Sequence, residues 1–232
     1  MTTTPTRDQG HEVPIHGEIN IISGGLSGGE CTTSQSRKYA RGVMAGEAQE
    51  SDQNPKPDLI FTKADLQDVI PHDNDPVVIS VVTVGRKVHH VLVDQGSSAD
   101  VMFWSTFNKL QLSPDQLRPY DGCLYGFVGD RVEVPGHLEL RTTFTDCTTS
   151  YIVNISYLVV NAPSTYNILL GRPVLNRIGA IASSRYMKMK LPSLEGTMIT
   201  TKSDQKEAKR CYKNNLKTKK GVYTITTQPP RE

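Results

Sequence analysis

The segment that most constrains this chain is Val91-Leu92-Val93-Asp94-Gln95-Gly96-Ser97-Ser98, an apolar run ending in a carboxylate on a glycine turn. Consecutive Val, Leu and Val read as a buried strand, and Gly96 permits the tight reversal that leaves Asp94 at its end. A second apolar run, Tyr166-Asn167-Ile168-Leu169-Leu170-Gly171-Arg172-Pro173, also closes on glycine. Pro173 suits the first turn of a helix that Gly179 ends.

The rest of the central region reads as short strands. Residues 77–84 and 88–93 are β-branched, with a tight turn at Gly85-Arg86-Lys87 between them. Residues 99–110 carry Trp104, Phe107 and Leu110 at helical spacing, although a strand followed by a short helix fits equally. Leu124 to Phe127 and Arg131 to Val134 flank Val128-Gly129-Asp130 as a hairpin. Further strands fall at 137–144 and 151–160, and closing strands near 180–181 and 187–191. Many short strands, Gly and Pro turns and one short late helix argue an all-β closed barrel.

Composition sets the borders. Hydrophobic residues make up 37% of the 232, a low share, and the apolar runs cluster between Val77 and Ile199. Residues 1–57 are rich in Thr, Gly, Ser and Gln and read as a disordered linker. Residues 58–201 are the expected domain, and 202–232 a basic connector helix and tail. In that helix Asp204-Gln205-Lys206-Glu207 has capping-box spacing, with Ala208, Tyr212 and Leu216 on one face. Lys206, Lys209, Arg210, Lys213 and Lys217 form the other, which reads as solvated rather than as a nucleic-acid surface.

Several function classes lose their footing here. The net charge of +2 implies no partner by itself. Gly24-Gly25-Leu26-Ser27-Gly28-Gly29 lacks the Gly-Lys-Ser/Thr ending of a phosphate loop. Cys31, Cys123, Cys147 and Cys211 are too widely spaced for a zinc site or a disulfide framework, so reduced thiols and an intracellular chain are expected. His89 and His90, adjacent in an expected strand, would point to opposite faces and could not share a metal. No metal and no cofactor are expected. With no signal peptide read, the sequon Asn154-Ile155-Ser156 is taken as chance, and no apolar run is long enough to span a bilayer.

Taken together, the Asp94 turn and the Ile168-Leu169-Leu170-Gly171 run resemble the two halves of a retroviral-type aspartic protease, a retropepsin. From about Ile19 to Tyr212 the chain is similar to the protease segment of a plant gypsy-type LTR-retrotransposon polyprotein. Pro71-His72-Asp73-Asn74-Asp75-Pro76 resembles the entry to that protease, and Leu124-Tyr125-Gly126-Phe127-Val128-Gly129-Asp130 its flap. Leu158-Val159-Val160-Asn161-Ala162-Pro163 through Ile178-Gly179-Ala180 resembles its closing strand and helix.

The resemblance implies a retropepsin fold with one lobe per subunit and Asp94 as the catalytic acid. Only one Asp-x-Gly follows an apolar strand, so a complete site requires a homodimer with two Asp94 carboxylates at the two-fold axis. Gly96 would let the turn approach the carboxylate, and Ser97 would donate to its outer oxygen. Gly126, Phe127 and Gly129 would close over a peptide or polyprotein substrate, and Leu170-Gly171 would underpin the turn. Apart from the resemblance, Arg172 would be partly buried after Gly171, and a buried charge needs a partner, so it is expected to pair with Asp100 and brace the turn. Gln95 stands where the family carries Thr or Ser, whose hydroxyl bonds across the dimer axis. Either Gln95 makes a different bridge or the domain is a catalytically degenerate copy that acts by dimerisation or peptide binding.

Overall fold

The computed structural model describes residues 57–222 except 123, 126–130 and 194. Its centre is a closed barrel of six strands in the order β1-β2-β8-β3-β7-β6. These are β1 (Val78–Thr83), β2 (Arg86–Val93), β3 (Val101–Phe103), β6 (Gly136–Thr145), β7 (Ser150–Val160) and β8 (Ile168–Leu170). The expected all-β closed barrel is present, and the expected linker 1–57 lies almost wholly outside the described residues.

Local chemistry explains the elements. β1 and β2 are joined through Val84 and Gly85, both at positive φ (51° and 66°), a two-residue reversal slightly earlier than the sequence suggested. β2 then carries an irregularity. Ile79 faces Val91 but Val81 faces Val88, so His89 and His90 together oppose Ser80. His90 takes φ +57° to accommodate this bulge. β6 and β7 form a long antiparallel hairpin in unbroken register from Gly136↔Val159 to Thr145↔Ser150.

The remaining elements cover the barrel. Helix α1 (Trp104–Lys109) follows β3 directly, so the strand-then-helix reading of 99–110 is the one realised, and α2 (Arg172–Arg177) follows β8. β4 (Leu124–Tyr125) pairs with β5 (Arg131–Val132) at the base of the expected flap hairpin. A second sheet has the order β11-β10-β9, made by β9 (Ile181–Ser183), β10 (Lys188–Pro192) and β11 (Met198–Lys202). Met189, Leu191 and Ile199 of this sheet share one core with Val91, Met102, Phe107, Phe144, Ile155, Ile168 and Leu170. Within it, the Tyr157 hydroxyl meets Thr142 Oγ1 at 3.0 Å, so this buried polar group is satisfied.

Helix α3 (Gln205–Val222) docks on the barrel rather than standing free. Ala208 and Cys211 are buried with Val78 and Tyr166, while Tyr212 is exposed, so the packed face is turned slightly from the expected one. Asp204 Oδ1 accepts the N–H groups of Lys206 and Glu207, as an N-cap should. Glu207 does not complete the box. Its carboxylate goes instead to His90 Nε2 at 2.8 Å and to Arg210 at 2.6 Å. No helix among the described residues is long and apolar enough to cross a membrane.

Candidate active site

Strand order dictates the site. β2 and β3 are consecutive in sequence, yet β8 lies between them, parallel to β2 and antiparallel to β3. The connection 94–100 must therefore pass over the end of β8, where the chain leaves at Gly171. Asp94 is the first residue of that crossing and stands half-exposed beyond Val93, which is paired with Leu170.

Three consecutive residues of the lower chain hold the crossing loop. The Asp94 N–H donates to the Leu170 carbonyl (2.9 Å). The Gly171 N–H donates to Asp100 Oδ1 (2.8 Å). The Arg172 N–H donates to the Ser97 carbonyl (3.0 Å). Contact is so close that a Cβ on Gly171 would lie 2.3 Å from the Ala99 carbonyl oxygen. Glycine is required there for space, not for φ.

Inside the loop, the Gly96 N–H donates to Asp94 Oδ1 at 2.9 Å and fixes the carboxylate's rotation. Ser97 behaves differently from the resemblance. Its hydroxyl donates to the Ala99 carbonyl (3.0 Å) and accepts the Ala99 N–H (3.3 Å), closing its own small turn rather than reaching Asp94. Gln95 points outward, and its Nε2 donates to the Ala182 carbonyl of β9 at 3.1 Å. The departure from Thr or Ser thus comes with a tie inside the chain.

Asp100 and Arg172 do not form the expected ion pair. Arg172 is exposed, and no salt bridge joins it to Asp100 among the described residues. The buried Asp100 carboxyl is taken instead by backbone: Gly171 N–H on Oδ1 and Val174 N–H on Oδ2 (3.1 Å). The start of a helix has free N–H donors, and these satisfied the group before any side chain was needed. Burial pushes this carboxyl up to about 7, against the lowering effect of those two donors and of the Arg177 charge.

Leu170 is buried under the loop. Gly126, Phe127 and Gly129 lie outside the described residues. The Asp-Gln-Gly triplet recurs at Asp8-Gln9-Gly10, with no apolar run before it in the sequence, and that copy lies outside the described residues. Two contributors escaped the sequence reading, Ala182 as the acceptor for Gln95 and the Val174 N–H on Asp100. Both are backbone groups, which side-chain patterns do not reveal. No cluster of three or more His, Cys, Asp or Glu among the described residues is placed to hold a metal.

No protein-family model matches the sequence, and a search of curated proteins finds no match. Among solved structures, the chain is similar to the retroviral protease-like domain of Ddi1 from Leishmania major. That likeness has 10% identity and a TM-score of 0.43, and covers 58% of this chain and 95% of that one. The EIAV protease in complex with the inhibitor HBY-793 is similar at 19% identity and a TM-score of 0.36, covering 50% and 99%. A retropepsin-like aspartic protease from Rickettsia conorii is similar at 15% identity and a TM-score of 0.34, covering 53% and 80%.

Proposed function

We propose that the chain is a homodimeric aspartic endopeptidase of retrotransposon type that hydrolyses peptide bonds in a polyprotein. One observation carries this reading: Asp94 stands half-exposed at the end of a buried strand, on a loop fastened at Asp94, Ser97 and Asp100 by Leu170, Gly171 and Arg172. A carboxylate so held is accessible to substrate and keeps its orientation, as acid–base chemistry requires.

The chemistry needs a second copy. Two Asp94 carboxylates facing each other share one proton, because both cannot ionise at contact distance. The ionised partner takes a proton from water as that water attacks the scissile carbonyl, and the protonated partner donates to the carbonyl oxygen. The Gly96 N–H on Asp94 Oδ1 occupies one oxygen and leaves Oδ2 for the water.

Peptide hydrolysis by the purified full chain, sensitive to pepstatin and abolished in Asp94→Asn, is the expected result. It should accompany a dimer in sedimentation. A strictly monomeric chain, or cleavage that survives in Asp94→Asn, would defeat the proposal. A dimer without cleavage would mark a binding domain in which Gln95 has replaced the tie between turns.

A further inference from the structure

Asp100 takes no part in the chemistry just described, yet its side chain is the one non-backbone member of the clamp under the catalytic loop. Residues 170, 171 and 172 each make one bond upward, to residues 94, 100 and 97. The two outer bonds are backbone to backbone. The middle one, Gly171 N–H to Asp100 Oδ1, depends on a side chain, and Oδ2 of the same carboxyl reaches on to the Val174 N–H. Asp100 also sits at the loop's far end, where its own carbonyl accepts the Leu158 N–H of β7 (2.9 Å). The carboxyl therefore joins three things: the end of the loop, the exit of β8 and the first turn of α2.

We infer that Asp100 is a positioning residue for Asp94, holding Gly171 and Val174 so that the Leu170 carbonyl stays in place to accept the Asp94 N–H. The inference rests on the protease reading, and deepens it. Leu170 is covalently joined to Gly171, so any drift of Gly171 moves the carbonyl that orients Asp94. The close approach of Gly171 to the Ala99 and Ser97 backbone blocks movement toward the loop, which leaves movement away from it to be restrained. The Asp100 carboxyl opposes that direction. Arg177 on α2 brings the charge that reaches Asp100, and Tyr157 on β7 is the neighbouring titratable group, its hydroxyl kept neutral by burial.

The test compares Asp100→Asn with wild type in the full chain, at one fixed pH. Phe144→Leu, chosen to give a similar fall in Tm, serves as control. Phe144 is buried near the end of the β6–β7 hairpin remote from Leu158, so it destabilises the barrel without touching the loop. Asn keeps an acceptor for one N–H and turns an amide N–H₂ toward the other.

In Asp100→Asn, amide hydrogen exchange at Asp94 and Arg172 should rise at least about tenfold beyond the rise at Ile155 in β7. In Phe144→Leu all three should rise together. On a cleavable peptide, kcat should fall about tenfold or more in Asp100→Asn, with KM within about twofold and Phe144→Leu near wild type. Exchange at Asp94 that only keeps step with Ile155 would overturn the inference, whether or not the chain cleaves anything. So would a wild-type kcat in Asp100→Asn. A wild-type chain that cleaves no peptide ends the protease reading, and the exchange data alone then decide the clamp.

Discussion

Two aspartates, both drawn into the protein, hold its two ends together by opposite means. Asp100 ties the Asp94 loop to β8 and α2 through backbone N–H groups in a dry setting, and its carboxyl is pushed up to about 7. Asp65 lies on the strap of residues 58–70 that crosses the β9–β11 sheet. Its carboxylate meets Lys190 Nζ at 2.9 Å and Lys188 Nζ at 3.7 Å, and the Thr62 N–H at 2.8 Å. The Thr62 bond and then the lysines hold this carboxyl below its usual range. Lys190 also reaches the Ile60 carbonyl (2.6 Å) and lies 4.7 Å from the centre of the Phe61 ring. No apolar residue of the strap is fully buried, and Ile60 and Ile70 are exposed. One region is knit by backbone and packing, the other by charge.

That contrast has a pH signature, which is the largest effect expected. Asp100 holds its proton more tightly folded than unfolded. Its contribution to stability is full below the ordinary value of 3.8 and is lost as pH rises toward 7. A shift of that size, net of the two opposing donors, is worth up to about 4 kcal/mol. Asp65 runs the other way. Its contribution is full above 3.8 and is lost as pH falls through its lowered folded value. Denaturant titrations at several pH values should therefore show stability falling between about pH 4 and 7, less so in Asp100→Asn. Equal slopes in the two proteins would remove Asp100 from the account.

Gly171→Ala tests the packed side of the comparison. Its Cβ would meet a backbone oxygen at 2.3 Å, which no rotamer change relieves. A loss at or above the ~3 kcal/mol end of the overpacking range is expected, along with loss of any activity. A variant of near-native stability would mean the loop can lift off β8 freely. Asp65→Ala tests the charged side. It removes the carboxylate from two lysines whose side chains are only 7% and 4% exposed, at a cost of about 1.5–3 kcal/mol. Proteolysis should then begin within the strap while the barrel stays intact. Cutting inside β6 or β7 first would show that the strap is no separate unit.

The same contrast explains what could be read from the residues. The barrel strands were legible because β-branched runs announce themselves, and the Asp94 turn was legible because strand, carboxylate and glycine are contiguous. Asp100 to Gly171 was not, since a side chain meeting a backbone N–H across 71 positions leaves no local trace. Lys188-Met189-Lys190 shows the alternation of a strand with one wet face, yet both faces are buried. The strap, contributed by residues more than a hundred positions earlier, covers the lysines. Adjacent His89 and His90 suggested simple alternation, which the bulge breaks. Spacing placed Tyr212 with Ala208 on one face of α3, whereas it is Cys211 that is buried beside Ala208 against Val78 and Tyr166.

Gln95 links the two regions, and the smallest expected effect falls on it. Its amide crosses from the Asp94 loop to an edge strand of the charged sheet, where the Ala182 carbonyl accepts it at 3.1 Å. The residue is exposed and the bond is between neutral groups, so Gln95→Ala should cost about 0.5–1.5 kcal/mol, toward the lower end. Thr at this position is too short to reach Ala182. It would give up the tie within the chain and place a hydroxyl where two loops would meet in a dimer. If assembly of the site is limited by the missing bond between turns, Gln95→Thr should lower the dimer Kd measured by sedimentation while lowering the Tm of the monomer slightly. A Kd that stays the same or grows would mean that fastening each loop to its own β9 already presents Asp94 well enough for its partner. The resemblance's cross-axis hydroxyl would then have no work left to do in this chain.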